Sequence, residues 1–265
     1  EKLEATAEMV RDAGGTAHVE PCDLSDVDAI DAMADRALER YGRVDVLINN
    51  AGRSIRRSIE LSYDRPHDFE RTMQLNYFAP VRLILKLLPG MRERGWGHVI
   101  NISSVGVQMR TPRFSGYIAS KAALDTFSDA VHAEVLDDGV RFTTIHMPLV
   151  RTPMISPTKI YDRFPTLTPD EAGDLVAKAL INRPRRVASP VGYLAELATA
   201  FSPEATDLVR NRGFHMFPDS QAARNGGEKA KGGAKPDKQG EPEATQEEVS
   251  RGGQAFARAT RGVHW

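Results

Sequence analysis

The chain has 265 residues, an apolar share of 41% and a formal charge of -1, which suits one globular core followed by a tail. Charge so near zero gives no bulk attraction to nucleic acid or anionic lipid, so neither is expected as a partner. The single cysteine, Cys22, rules out an internal disulfide and a thiolate metal site, and a reducing, cytoplasmic compartment is expected. No run approaches the roughly 18 apolar residues of a membrane-spanning helix. The seven histidines show no ligand spacing, so no metal is expected.

In chain order, the periodicity predicts a helix over about Glu1 to Ala13, a short strand from Thr16 to Cys22, a helix from Asp26 to Tyr41 and an apolar strand from Val44 to Asn49. After a variable loop come a long helix from about His67 to Arg94, a strand from His98 to Ser103, a helix from Ser115 to Leu136 and a strand from Arg141 to His146. Short Val- and Ile-rich strands alternating with helices imply a parallel sheet covered on both faces. The fold class is therefore α/β, a Rossmann-like doubly wound sheet, with ligands expected beyond the carboxyl ends of the strands. Those ends are Asp23, Asn49, Ser104 and Pro148.

From Thr152 to Leu167 runs a proline-punctuated loop with Met154, Ile155, Ile160, Tyr161 and Phe164, read as an apolar lid. Helical patterns follow at Pro169 to Asn182 and Val191 to Phe201. Beyond Asp219 the composition turns to Gly, Lys, Glu, Gln and Pro, too poor in large apolar residues to offset its ordering entropy. Residues 1–218 are read as the folded domain and 219–265 as a disordered tail.

Tyr117 and Lys121 are four apart at the start of a helix, so an ammonium and a phenol share one face. A nearby cation favours phenolate, and about 4 kcal/mol of differential stabilisation brings a tyrosine from about pH 10 to about 7. Alone, the pair also reads as an ordinary surface helix pair, because Tyr-x-x-x-Lys arises by chance in roughly half of chains this long. Joint placement carries more weight. Ser104 ends a strand thirteen residues before Tyr117, within reach of the same substrate oxygen, and Asn76 in the preceding helix is expected to hold a water linking Lys121 to solvent.

These residues resemble the short-chain dehydrogenases/reductases. Asn49-Asn50-Ala51-Gly52 resembles that family's motif beside the adenosine half of the cofactor, and Asp23-Leu24 its adenine contact. Asn76, Ser104, Tyr117 and Lys121 fall on its catalytic tetrad, and Val150 and Thr152 on its contacts to the nicotinamide carboxamide. The resemblance spans about residues 1 to 218. It implies a nicotinamide cofactor, NADP with NAD also admissible, bound at Asp23, Leu24, Asn50, Ala51, Gly52, Tyr117, Lys121, Val150 and Thr152. It further implies a homodimer or homotetramer formed through the two long helices.

Two departures stand out. Met147-Pro148 replaces the family's Pro-Gly before the carboxamide contact, and proline cannot take the positive φ that glycine can. The glycine-rich pyrophosphate turn is absent, and the chain opens inside a helix without methionine. The domain is therefore read as N-terminally truncated, lacking its first β-α-β unit, with weak cofactor binding on its own.

Three stretches, NNAGRSIRRSI from Asn49 to Ile59, FERTMQLN from Phe69 to Asn76 and HMPLVRTPM from His146 to Met154, resemble bacterial fatty acyl-CoA reductases. That resemblance implies reduction of a long-chain acyl-CoA to the aldehyde, with Tyr117 as general acid. Arg53, Arg56, Arg57 and Arg110 either meet the coenzyme A phosphates or form a solvated loop. Arg183, Arg185 and Arg186 read as a solvated helix end or a phosphate contact. His146 reads as a hydrogen-bonded core histidine and Cys22 as packing beside the adenine pocket. Two other functions fit the same residues: reduction of another ketone, aldehyde or alcohol substrate, or a non-catalytic remnant of the fold without independent cofactor binding.

Overall fold

The computed structural model describes residues 1–152, 166–220 and 223–224. Its helices are α1 (Lys2–Asp12), α2 (Val27–Tyr41), α3 (Pro66–Met73), α4 (Ala79–Glu93), α5 (Val105–Met109), α6 (Ser115–Glu134), α7 (Pro169–Asn182), α8 (Pro190–Phe201) and α9 (Pro203–Met216). Four strands, β1 (Val46–Asn49), β2 (Gly97–Ser104), β3 (Val140–Met147) and β4 (Arg186–Val187), form one parallel sheet in the order β1-β2-β3-β4.

Parallel neighbours need crossover helices, and these cover both faces of the sheet. On one face Ile84, Leu87, Leu88 and Met91 of α4 and Leu124 of α6 close over Val99 and Phe142. On the other, Ala179 and Val176 of α7 close over Ile100 and Ile145. Helix α2 packs outside α4 through Ile30 and Ala34 against Ala79 and Leu83. The doubly wound α/β fold is thus present.

Local chemistry sets the helix ends. Asp26 caps α2 by accepting from the amides of Asp28 and Ala29, and Gly42 ends it at φ 72°. Thr168 and Glu171 form a reciprocal capping box on α7.

Three expectations change. Residues 16–22 form no strand: no ladder partner lies beside them among the described residues, so the β-prone sequence stays extended and unpaired. The long helix from His67 to Arg94 is broken into α3, a π-helical turn over Gln74–Phe78 and α4. Pro80 explains the break, since it has no N–H to give the carbonyl of Asn76 four residues back. Finally, β4, α5 and α9 are elements that periodicity missed: two are very short, and α9 buries no residue fully. The lid residues Met154, Ile155, Ile160, Tyr161 and Phe164 and most of the tail lie outside the described residues.

Candidate active site

The strand ends are locked together by a buried amide ladder. Asn49 at the end of β1 donates from Nδ2 to Oδ1 of Asn101 on β2 at 2.7 Å. Asn101 donates to the Ser128 hydroxyl of α6 at 2.7 Å, which donates to the Leu124 carbonyl at 2.7 Å. Asn101 and Ser128 are fully buried and Asn49 nearly so. Satisfied polar groups in a low-dielectric interior fix one geometry because any slip leaves a costly orphan. The ladder therefore sets α6 relative to the ends of β1 and β2.

Asn76 does the same for the loop after β1. Its Oδ1 accepts from the Arg53 amide at 2.8 Å, and its Nδ2 donates to the Arg53 carbonyl at 2.8 Å and the Ser120 hydroxyl at 2.9 Å. Ser120 in turn donates to the Tyr117 carbonyl at 2.7 Å. The fully buried side chain thus clamps Arg53 to α6. Gly52 lies against this clamp: a Cβ there would sit 3.3 Å from Asn76 Oδ1 and 3.4 Å from Lys121 Nζ. Glycine keeps that cradle open.

Ser104 ends β2 and caps α5, its Oγ accepting from the Gly106 amide at 3.1 Å. The same hydroxyl neighbours the phenol of Tyr117 and favours its ionised form. Lys121, one turn along α6, is 4% exposed and donates from Nζ to the Ile102 carbonyl at 2.7 Å. Burial pulls its ammonium down to about pH 8, while the negative charge of Asp125 pulls it back up. For Tyr117 burial prevails: it pushes the phenol above its ordinary value, aided by Asp125, and only the Ser104 hydroxyl opposes it. Burial therefore keeps the phenol protonated, as a proton donor must be.

The remaining residues surround this centre. Asp23 turns its Oδ1 to the Ser25 amide at 2.9 Å and hydroxyl at 2.6 Å, which holds the carboxyl below its ordinary value. Leu24 and Cys22 pack against the α2–α4 cluster. Asn50 and Ala51 are exposed beyond β1. Val150 forms a parallel bridge with Leu167, reinforced by Arg151 N to Leu167 O at 2.9 Å, and Thr152 is the last described residue before Thr166. An ammonium with a single strong acceptor, a glycine cradle beside it and two hydroxyls at a strand end suit the ribose and nicotinamide of a dinucleotide.

The arginines divide. Arg53 and Arg110 are exposed. Arg57 pairs with the buried carboxylate of Asp68, which also binds Arg65 and Arg71, and donates to the Ala223 carbonyl. Arg56 donates to the carbonyls of Phe217 and Pro218 at 3.2 and 2.7 Å. Arg113 reaches Asp219 at 3.2 Å and stacks on Phe214 at 3.9 Å. Arg56 and Arg57 are thus structural, which corrects their reading as phosphate ligands. Arg183, Arg185 and Arg186 are likewise spent, on the Gly97 carbonyl, Asp129 and Glu196 respectively. Sequence patterns missed Ser120 and the strap residues Phe217, Pro218, Asp219 and Ala223 that receive these arginines; only the position of Ser120 beside Lys121 could have drawn notice to it.

A family model described as short chain dehydrogenase matches residues 1–160. An uncharacterized oxidoreductase of Mycobacterium tuberculosis is 59% identical over 256 residues, covering 97% of this chain and 71% of that one. A fatty acyl-CoA reductase of Acinetobacter baylyi is 48% identical over 265 residues, covering 100% of this chain and 83% of that one. The crystal structure of a metagenomic short-chain oxidoreductase in complex with NADP is 30% identical with TM-score 0.56, covering 67% of this chain and 73% of that one. A fold, a strand-end site and a relationship of this extent lead to one statement: the chain belongs to the short-chain dehydrogenase family of oxidoreductases.

Proposed function

We propose that this protein reduces long-chain fatty acyl-CoA to the aldehyde with NADPH, using Tyr117, Ser104, Lys121 and Asn76. One observation carries the reading: the Ser104 hydroxyl and Tyr117 phenol meet at the carboxyl end of β2, beside a buried lysine and a glycine-opened cradle. Support for the substrate comes from the relative named fatty acyl-CoA reductase, which matches the whole chain. Support for NADP comes from the 30% identical oxidoreductase in complex with it.

Asp23 and Leu24 would hold the adenine, Asn50, Ala51 and Gly52 the adenosine side, Lys121 and Tyr117 the nicotinamide ribose, and Val150 and Thr152 the carboxamide. When bound, the nicotinamide supplies a hydride to the substrate carbonyl carbon. As negative charge develops on the carbonyl oxygen, Tyr117 gives it a proton and Ser104 a hydrogen bond. Each such preorganised donor is typically worth about 3 to 4 kcal/mol. Lys121 replaces the field lost with that proton, stabilising the phenolate left on Tyr117. The hemithioacetal then expels the coenzyme A thiol and leaves the aldehyde. Asn76 keeps Gly52 and Arg53 docked on α6.

An open cleft of about 640 Å³, walled by Val107, Arg110, Pro112, Ile118, Ala122 and Ala200, would take the acyl chain. Arg53 and Arg110 remain to meet coenzyme A phosphates. No described helix is long and apolar enough to cross a membrane. Self-association would use α4 and α6, where Leu85 is 60% exposed; sedimentation velocity measures it. Incubating the protein with palmitoyl-CoA and NADPH tests the reaction. Fatty aldehyde is expected, and NADPH oxidation without aldehyde or alcohol would remove the acyl-CoA assignment.

A further inference from the structure

Behind Lys121 lies a row of buried and half-buried charged and polar groups that the reaction just described does not use. Asp125 is one turn beyond Lys121 on α6 and two turns beyond Tyr117. Its Oδ2 accepts from the Ser103 hydroxyl of β2 at 2.8 Å and lies 3.2 Å from Nε2 of His146 on β3. His146, 4% exposed, accepts at Nδ1 from Nε of Arg186 on β4 at 3.3 Å. A second nitrogen of the same guanidinium, Nη2, lies 3.4 Å from Nε2. Arg186 in turn pairs with Glu196 of α8. The carboxylates and cations alternate inward, from Glu196 and Arg186 to Asp125 and Lys121, with the His146 ring between Arg186 and Asp125. Asp125 Oδ1 is buried and has no hydrogen-bond partner among the described residues.

An orphaned carboxylate oxygen in the interior is costly. A lysine one helical turn away, with donors to spare beyond its bond to Ile102, offsets that cost by its field. On the other side of Lys121 stand Gly52 and Asn76, both uncharged. Asp125 is the charged group acting on Lys121 from any packed element among the described residues.

We infer that Asp125, held by Ser103 and His146 and backed by Arg186, is a positioning residue that keeps the ammonium of Lys121 charged and aimed at the reaction centre. The inference rests on the reading of Lys121 and Tyr117 as the working pair, but its test needs no substrate. Competitive acetylation with acetic anhydride, followed by mass spectrometry of the Lys121 peptide across pH, reads the titration of that one amine in the intact protein.

The wild-type midpoint is expected near pH 8. In Asp125→Asn it should fall by about one pH unit, the size of one charge removed at side-chain distance in a partly screened interior. Asp125→Glu, which restores the charge, should titrate within about 0.3 unit of wild type, whereas a purely packing role would make both variants equally abnormal. If the asparagine variant does not fold, Asp125→Ser takes its place, with a downward shift of similar size expected because it removes the same charge. An unchanged midpoint in whichever variant folds overturns the inference. Loss of acyl-CoA reduction by the wild type would instead overturn the substrate assignment and leave this coupling intact.

Discussion

Two clusters of cations face the carboxyl end of this sheet, and they do different work. Around Asp68 and Asp219, Arg57, Arg65, Arg71 and Arg113 are paired with internal carboxylates, and Arg56 and Arg57 donate to the strap's main-chain carbonyls at Phe217, Pro218 and Ala223. At the Tyr117 centre, Lys121 is more deeply buried, donates to one carbonyl and is in ion-pair contact with no carboxylate among the described residues. A cation saturated by internal acceptors holds the chain together, and one left short of acceptors retains binding capacity for a ligand. The difference lies in the partners and not in the charge.

The first cluster also bears strain. Arg110 and Arg113 stand at φ 51° and 72° in the loop leading to Tyr117, each a left-handed position that costs about 1 kcal/mol or more in a non-glycine residue. The Arg57 amide bonds the Arg113 carbonyl at 2.7 Å, and the strap's ion pair with Asp219 holds the side chain. The arginine cluster therefore braces the loop that presents the phenol.

The contrast breaks most readily at the phenol. Tyr117→Phe should lower kcat/KM about 10³-fold or more with an unchanged thermal melt, since it removes the proton donor and little packing. Normal turnover would end the assignment of the working centre. Next, Asp68→Ala should cost about 3 to 4 kcal/mol by chemical denaturation, because three guanidinium groups lose a buried carboxylate. A near-neutral result would show that the arginine cluster is solvated instead of structural. Ser104→Ala follows, with about a 100-fold loss in kcat and little change in KM, as a donor used mainly at the transition state requires.

A subtler test concerns the sheet itself. His98, 1% exposed and bonded to Thr143 at 2.9 Å, is held down to about pH 4 by burial and by the charge of Arg183. Its folded value lies below its unfolded one, so the stabilisation is complete above about pH 6.5 and erodes as pH falls toward 4. About 2 kcal/mol should disappear between roughly pH 7 and pH 5. His98→Gln should flatten that stretch of the stability curve; an equally steep curve would acquit His98. The smallest effect belongs to the exposed arginines: Arg53→Ala should raise KM for an acyl-CoA about tenfold and leave KM for a free fatty aldehyde unchanged. An equal rise for both would assign Arg53 to the loop instead of the coenzyme.

Several of these features were written along the chain. The Val- and Ile-rich runs at 46–49, 98–103 and 141–146 became strands because both sheet faces are covered, and uniform hydrophobicity records that state directly. Ser104, Tyr117 and Lys121 were legible for a similar reason, since a strand end and a helical spacing of four are local geometry. The segment from Thr16 to Cys22 shows the limit of this reasoning. Its composition suits a strand, yet strandhood needs a neighbour, which is a property of the assembled sheet.

The sequence by itself determined the α/β alternation, the strand-end placement of Ser104 and the shared face of Tyr117 and Lys121, because each follows from backbone period and nearest-neighbour chemistry. Tertiary structure alone decided that Asn76 clamps Arg53, that Arg56 and Arg57 serve a strap more than 150 residues away, and that Asp125 meets His146. Those outcomes depend on which donors and acceptors are brought together across long stretches of chain. A buried group's role is set by the partners left to it after folding, and no local pattern records them.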